Sequence, residues 1–421
     1  MKKIITLLLV LALAFSVFAG GSNETASSSE SGSKRNVTIE YWSSYGPNES
    51  QGIVLQQAAD DFMKANPGVT INMTFNGRDN RNLAPSAIQA GTEVDMMDAN
   101  ADNIKARFSD YIGKEYEATD GTTLESQLMP SMVTLSKTLF DGKVMFVPFI
   151  PQAYMITCNK GIFEKCGITS YPTTWEEFLE CCEIIKSNGY IPISSDSFYC
   201  NSWLGYYLTR LMGNDAVVEL ANNPEAWSDP KVLEGAKAIQ ELAEKGYFDP
   251  DISSLIYPNA QQNMVINENI AMYINGTWLP NEVAASTSED YEWGFFAFPT
   301  VPGGVDGLEG LCYSSFGIAI NKDCTEEQIE VAMEFAAFIT CGKYDQAFAD
   351  DANCIPVNVN STWPENLAEA KTVFEQCTTR YPSQTAFYLN NQSKQVISDA
   401  CLLLMSGKID AETFVKEAAK F

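Results

Sequence analysis

Between Val37 and Phe75 the chain changes its hydrophobic period twice. Val37, Ile39 and Tyr41 alternate with polar residues, the period of a strand, and the pattern breaks at Ser43-Ser44-Tyr45-Gly46-Pro47. From Ile53 to Ala65 apolar residues recur at helical spacing, Asn66-Pro67-Gly68 ends the run, and Val69, Ile71, Met73 and Phe75 alternate again. A strand, a helix and a second strand in this order predict a parallel pair joined by a crossover, which commits the chain to an α/β architecture. The same alternation continues. Val94 to Met97 reads as a third strand after Gly91-Thr92, and Asp141-Gly142 turns the chain into Val144 to Ile150. Tyr190 to Ser194, Leu233 to Lys245, Ile270 to Ile274 and Phe316 to Ile320 carry strands and helices on to the C-terminal part.

Two helices announce themselves by their first turns. At Thr174-Trp175-Glu176-Glu177 the Thr hydroxyl can accept from the backbone while Glu177 reaches back, a capping box, and Thr325 with Gln328 repeats it. Trp175, Phe178, Leu179, Cys182 and Ile185 form the buried stripe of the first, which Asn188-Gly189 stops. Ile329, Ala332, Met333, Ala336 and Ile339 form that of the second, stopped at Gly342. The chain contains no internal repeat.

Its 421 residues suggest two or three domains at about 150 residues each. Lys and Arg number 27 against 54 Asp and Glu, a net charge of −27 that repels phosphate backbones and anionic lipid, so nucleic-acid binding is not expected. The absence of any His removes Ser-His-Asp and Cys-His mechanisms and histidine zinc sites. No metal and no cofactor are expected.

The N-terminus reads as a cleaved secretory signal. Met1-Lys2-Lys3 is positive, Ile4 to Phe15 is apolar apart from Thr6, and Val17-Phe18-Ala19 offers a cleavage site. That apolar core is too short to span a membrane, so no membrane insertion is expected. Gly20-Gly21 stand where a lipid-anchored protein would need a Cys, which favours a periplasmic location. Residues 20–35 should be a flexible leader. Eleven cysteines, an odd number without C-x-x-C spacing, read mostly as buried free thiols.

In open α/β sheets ligands bind beyond the carboxyl ends of the strands, which directs attention to four loops. Ser43, Ser44 and Tyr45 follow the first strand, and Asp98, Asn100 and Asp102 follow the third. Ser195, Asp196, Asn201 and Trp203 come after Ser194; Asn275, Gly276 and Trp278 come after Ile274. Hydrogen-bonding side chains beside aromatic planes suit a sugar, whose hydroxyls need partners and whose C–H faces pack on rings. Asp98 and Asp196 equally suit helix caps, and Trp42 and Trp175 read as core. Trp278 reads as a ligand platform, because Gly276 frees the backbone beside it where the strand has just ended.

Several segments resemble the extracellular solute-binding proteins of carbohydrate ATP-binding cassette importers, family 1, which includes maltose-binding protein. Asp141-Gly142-Lys143-Val144-Met145-Phe146-Val147-Pro148 is similar to the family's G-K-x-Y-x-x-P. Cys158 to Ile168 resembles Y-N-K-x-x-F-x-K-x-G-I with Cys158 in place of Tyr, and Pro172 to Phe178 resembles P-x-T-W-x-E-F. Ala271 to Trp278 resembles A-M-x-I-x-G-x-W, and Gly317 to Asn321, the helix from Glu330 to Ile339 and Ile355-Pro356 follow in order. The resemblance implies a two-lobed periplasmic-binding-protein fold, type II-like, with hinge strands and an interlobe ligand cleft. Lobe one would hold 36–150 plus 315–356, and lobe two 151–311 plus 360–421. It implies capture of a sugar or oligosaccharide and its delivery to an inner-membrane ATP-binding cassette permease, by a monomer that closes without chemistry. By motif, Trp278 falls on the family's stacking Trp and Gln152 on its polar residue near the first hinge. The candidate ligand contacts are therefore Ser44, Tyr45, Asp98, Asn100, Gln152, Asp196, Trp203, Asn275, Trp278 and Tyr313. A carboxylate-pair glycosidase, which also needs acids and aromatics in a cleft, and a polyamine or other cation binder are the alternatives. A ligand-loaded adaptor for a membrane sensor is compatible with sugar capture.

Overall fold

A computed structural model describes residues 35–113 and 124–421; the expected signal sequence and the leader up to Lys34 lie outside the described residues. Nine strands form one mixed sheet. β1 (Val37–Ser43), β2 (Val69–Phe75) and β3 (Met96–Asn100) are mutually parallel, with β1 in the middle. β5 (Ile191–Ser194) and β6 (Ile270–Gly276) form a second parallel pair. Two long antiparallel strands join the groups, β4 (Val147–Asn159) and β8 (Gly310–Ile320), giving the order β2-β1-β3-β8-β4-β6-β5. Short strands β7 (Trp293–Phe296) and β9 (Thr379–Tyr381) flank β4 and β8.

The crossover over Ser50–Ala65 buries Val54, Leu55, Ala58, Ala59 and Phe62 on one stripe, the spacing its sequence carries. Glu326–Thr340 packs beside it and on β1. Both capping boxes form: Thr174 accepts from Glu177 N and Thr325 from Gln328 N, each with the reciprocal bond. Asn201–Met212 packs on Pro230–Glu244 and Asn391–Met405 and is buried from Asn201 to Leu211, while Ala411–Ala418 packs on those same two helices. All eleven cysteines are free thiols.

β8 pairs with β3 of the first group and β4 with β6 of the second, so the β4–β8 pair is what joins the two groups. Val147–Phe149 face Ile318–Phe316 beside β3, whereas Tyr154–Cys158 pair with β6. Between them the register shifts, and Ile150 takes φ 47°, a conformation that β-branched residues avoid. Pro148 and Pro151 bracket it and bring no N–H to the ladder. The ladder is thus thinnest where the sheet passes from one group of strands to the other.

Beside this crossing Gly317 lies against the core: a Cβ there would stand 2.3 Å from Phe146 Cδ2 and 2.7 Å from Ile104 Cδ1. Gly317→Ala should therefore displace the Phe146 ring and destabilise the chain by about 1–3 kcal/mol, the usual range for overpacking a filled core. Urea melts would check it, and an unchanged midpoint would contradict the packing described.

Candidate ligand-binding site

The parallel strands of both groups point their carboxyl ends at one cavity of about 1050 Å³. Tyr45 enters it after β1, Arg78 and Arg81 after β2, and Asn100 and Asp102 from the end of β3. Phe198 and Tyr199 follow β5, and Thr277 and Trp278 follow β6. Its floor is the crossing itself, with Ile150, Pro151 and Gln152 of β4 and Phe316 of β8. The volume lies at the upper end of small-molecule sites, room for a ligand larger than a single small ring.

Trp278 is half-buried, its indole edge-on to Tyr154 with centroids 4.7 Å apart. A Cβ on residue 276 would stand 1.9 Å from Trp278 Cζ3, so the indole folds back over the bare Cα of Gly276. The need for glycine is close approach by this ring. Thr277 N donates to Ala153 O at 2.9 Å, pinning the loop to β4. Opposite, Tyr45 packs on Phe316 and Phe149, and the Arg78 guanidinium lies 4.6 Å from its ring centre. Glu49 holds Arg78 from the other side at 2.8 Å. Burial pushes the Tyr45 hydroxyl well above its ordinary range. That hydroxyl and the Asn353 amide nitrogen, both on the cavity, are buried without a hydrogen-bond partner. Buried polar groups are rarely left so.

Of the residues singled out from sequence, Tyr45, Asn100, Gln152 and Trp278 line the cavity. Ser44, Asp98, Asp196, Trp203, Asn275 and Tyr313 do not, and each has another place. Asp98 belongs to β3, which runs to Asn100, beyond the Met97 at which the strand is expected to end. There its carboxylate accepts from Ser44 N at 2.7 Å, and Ser44 Oγ donates to Asp98 O at 2.6 Å, so the pair ties β1 to β3. Asn275 likewise lies within β6, donating to Gln261 Oε1 at 3.0 Å and accepting from Gly276 N. Trp203 is wholly buried, packed on Phe178 and Phe298. Tyr313 packs on Phe374.

Asp196 acts through its neighbours. Its carboxylate accepts from Phe198 N at 2.8 Å, Tyr199 N at 3.1 Å and Tyr273 Oη at 2.8 Å, and so shapes the turn that presents two rings to the cavity. Those rings escape the sequence reading, as do Tyr154, Tyr257 and Tyr388. Phe198 centres the cluster, 4.9 Å from Tyr199, 5.5 Å from Tyr257 and 4.8 Å from Tyr388. Phe198 and Tyr199 stand in one of the four flagged loops, so aromatic content there was the available signal; Tyr388 lies about 190 residues further on and carries none. Among the described residues no cluster of acidic or Cys side chains could hold a metal, and no helix is long and apolar enough to cross a membrane.

Fold and cavity together define a two-lobed α/β binding protein. The family described as bacterial extracellular solute-binding protein matches residues 46–340, and the chain belongs to it. Among curated relatives, the multiple sugar-binding protein of Streptococcus mutans is 24% identical over 343 residues, covering 80% of this chain and 78% of the relative. A binding protein of Brucella abortus is 24% identical over 351 residues, 79% and 78% of the two chains. In structure the chain is similar to a chitin oligosaccharide binding protein, with TM-score 0.72, 18% identity and coverage of 91% and 98%. It is also similar to RafE in complex with raffinose, at 0.71, 17%, 91% and 98%. Both likenesses establish the two-lobed periplasmic-binding-protein fold.

Burial raises the carboxyl pKa of Asp98, Asp196 and Glu282. A raised folded-state pKa means that the stabilisation is complete below the unfolded value and is lost as pH climbs through the folded one. The melting temperature should therefore fall as pH climbs above the ordinary carboxylate range, and self-repulsion among the excess acids acts in the same direction. Asp98→Asn, which keeps an acceptor for Ser44 N, should flatten that slope; a flat profile in the parent protein would contradict the assignment.

Proposed function

We propose that this protein captures a sugar or oligosaccharide in the periplasm and delivers it to an inner-membrane ATP-binding cassette permease, by hinge closure and without chemistry. The observation that carries the reading is the cavity's wall: aromatic planes from both strand groups, Tyr45 and Phe316 facing Trp278, Tyr154 and Tyr199, with amides, guanidinium groups and an orphan hydroxyl between them. Rings of this kind pack on the C–H faces of a pyranose while the polar groups meet its hydroxyls. In this reading lobe one comprises 36–150 with 315–356 and lobe two 151–311 with 360–421, and Tyr45, Asn100, Gln152 and Trp278 touch the ligand. Relatives named for sugars support it, as do the signal-like N-terminus and the extracellular character of the family. A glycosidase is less well served. Glu49 is held by Arg78 and Asp102 by Arg380, and Glu282 accepts from Tyr257 and Gln261, so no free carboxylate pair faces the cavity among the described residues.

A thermal-shift screen over mono-, di- and oligosaccharides, sugar acids and polyols tests the reading, since a ligand at 100 times its Kd stabilises by about 2.7 kcal/mol. A shift with polyamines and none with carbohydrates would overturn it, as would cleavage of an added oligosaccharide. With a ligand in hand, Trp278→Ala should weaken binding by roughly 30- to 150-fold, corresponding to about 2–3 kcal/mol of lost ring burial and contact. Unchanged affinity with a large loss of stability would show that the indole serves the core instead.

A further inference from the structure

The cavity holds a charge arrangement that a neutral sugar leaves unanswered. Arg81 stands on the helix Asn80–Gln89, beside β1 and β3, and Lys394 on the helix Asn391–Met405, beyond β4. Both line the cavity, and no carboxylate pairs with either among the described residues. A further cation on the wall, Arg107, donates to Asn82 Oδ1 at 2.8 Å and likewise pairs with no carboxylate among the described residues. The cavity's acids are occupied: Glu49 with Arg78 at 2.8 Å, Asp102 with Arg380 at 3.1 Å, and Glu282 by Tyr257 Oη and Gln261 Nε2 at 2.9 Å each.

Lys394 is half-buried with its ammonium 3.8 Å from the Tyr388 ring centre and 4.7 Å from that of Phe198. The rings replace part of its lost hydration, yet offer no lone pair. Burial, and then the charge of Arg81, hold its pKa down to about 8, so it remains mainly protonated at neutral pH. Arg81 and Lys394 thus repel one another from elements on either side of β4 and β8. Bringing the two walls together raises that cost, and a ligand can favour the closed state only by interacting better with it. An anion seated between them converts one repulsion into two attractions, each a charge-assisted hydrogen bond, the one to half-buried Lys394 in a partly desolvated site.

We propose that the ligand is an acidic carbohydrate, with a carboxylate or sulfate held between Arg81 and Lys394 while its rings pack on the aromatic wall; the proposal rests on the sugar-capture reading. The net charge of −27 opposes an anion at long range, but salt screens such forces beyond about 8 Å, and the local cations then decide. The same cations oppose a polyamine.

The test uses the full protein on an array of neutral, uronate-bearing and sulfated oligosaccharides, followed by calorimetry on the tightest acidic ligand and its neutral counterpart of the same linkage. Acidic members should bind preferentially, and the uronate and sulfate arms show which anion is seated. Lys394→Gln and Arg81→Gln should each weaken the acidic ligand by about tenfold or more, several-fold more than they weaken the neutral one, while Lys394→Arg retains binding. Urea melts establish that the variants remain folded. Equal or tighter binding of the neutral counterpart, or acidic binding indifferent to both substitutions, overturns the anion seat and leaves sugar capture standing. A folded protein that binds nothing on the array overturns both.

Discussion

Everything about the site depends on the pairing of β4 with β8. These strands carry the sheet from β1–β3 to β5–β6, and the cavity opens over the point where they cross. An unbroken antiparallel ladder would make that connection stiff. Here Pro148 and Pro151 withhold two N–H groups, and Ile150, at φ 47°, steps the register between them. Long paired strands on either side keep the two groups in register with one another, and under the proposed closure the thinned ladder between them is where the sheet would bend. A few residues absorbing a large backbone change at the ends of rigid elements is the usual form of a hinge.

The cavity is supported by residues that do not face it. Asp98 fixes the turn after β1 through Ser44, Asp196 fixes the turn after β5 through Phe198 and Tyr199, and Gln261 links Asn275 to Glu282. Each acid binds backbone N–H groups that a loop leaves without partners, which is why acidic residues collect near strand ends. Their cost is a buried charge, and the rings they position gain from it.

Much of this was legible in the sequence, for local reasons. Strand periods, the two capping boxes and the turn glycines are set by residues a few positions apart, and these elements form where their patterns stand. The place of Trp278 on the cavity wall was legible because Gly276 beside it is a local signal. Two of the misplacements share one physical source: a strand that runs on by two or three residues converts a loop side chain into a sheet side chain, as at Asp98 and Asn275. Trp203 was read as a loop residue because its helix is buried all round and shows no polar face to reveal its period. Tyr257, Tyr388 and Lys394 could not be read at all, since tertiary contact alone brings them to Phe198.

The central claim is that ligand binding bends the sheet at the Ile150 crossing and closes the cavity. Pulsed electron-electron distances between spin labels on the exposed faces of the helices Asn80–Gln89 and Asn391–Met405 test it directly, since these lie on either side of β4 and β8. With a saturating carbohydrate, identified by its thermal shift, the account predicts a shorter and narrower distance distribution than in the free protein. A distribution unchanged on saturation would contradict it, because the ligand would then be held without movement of one strand group against the other.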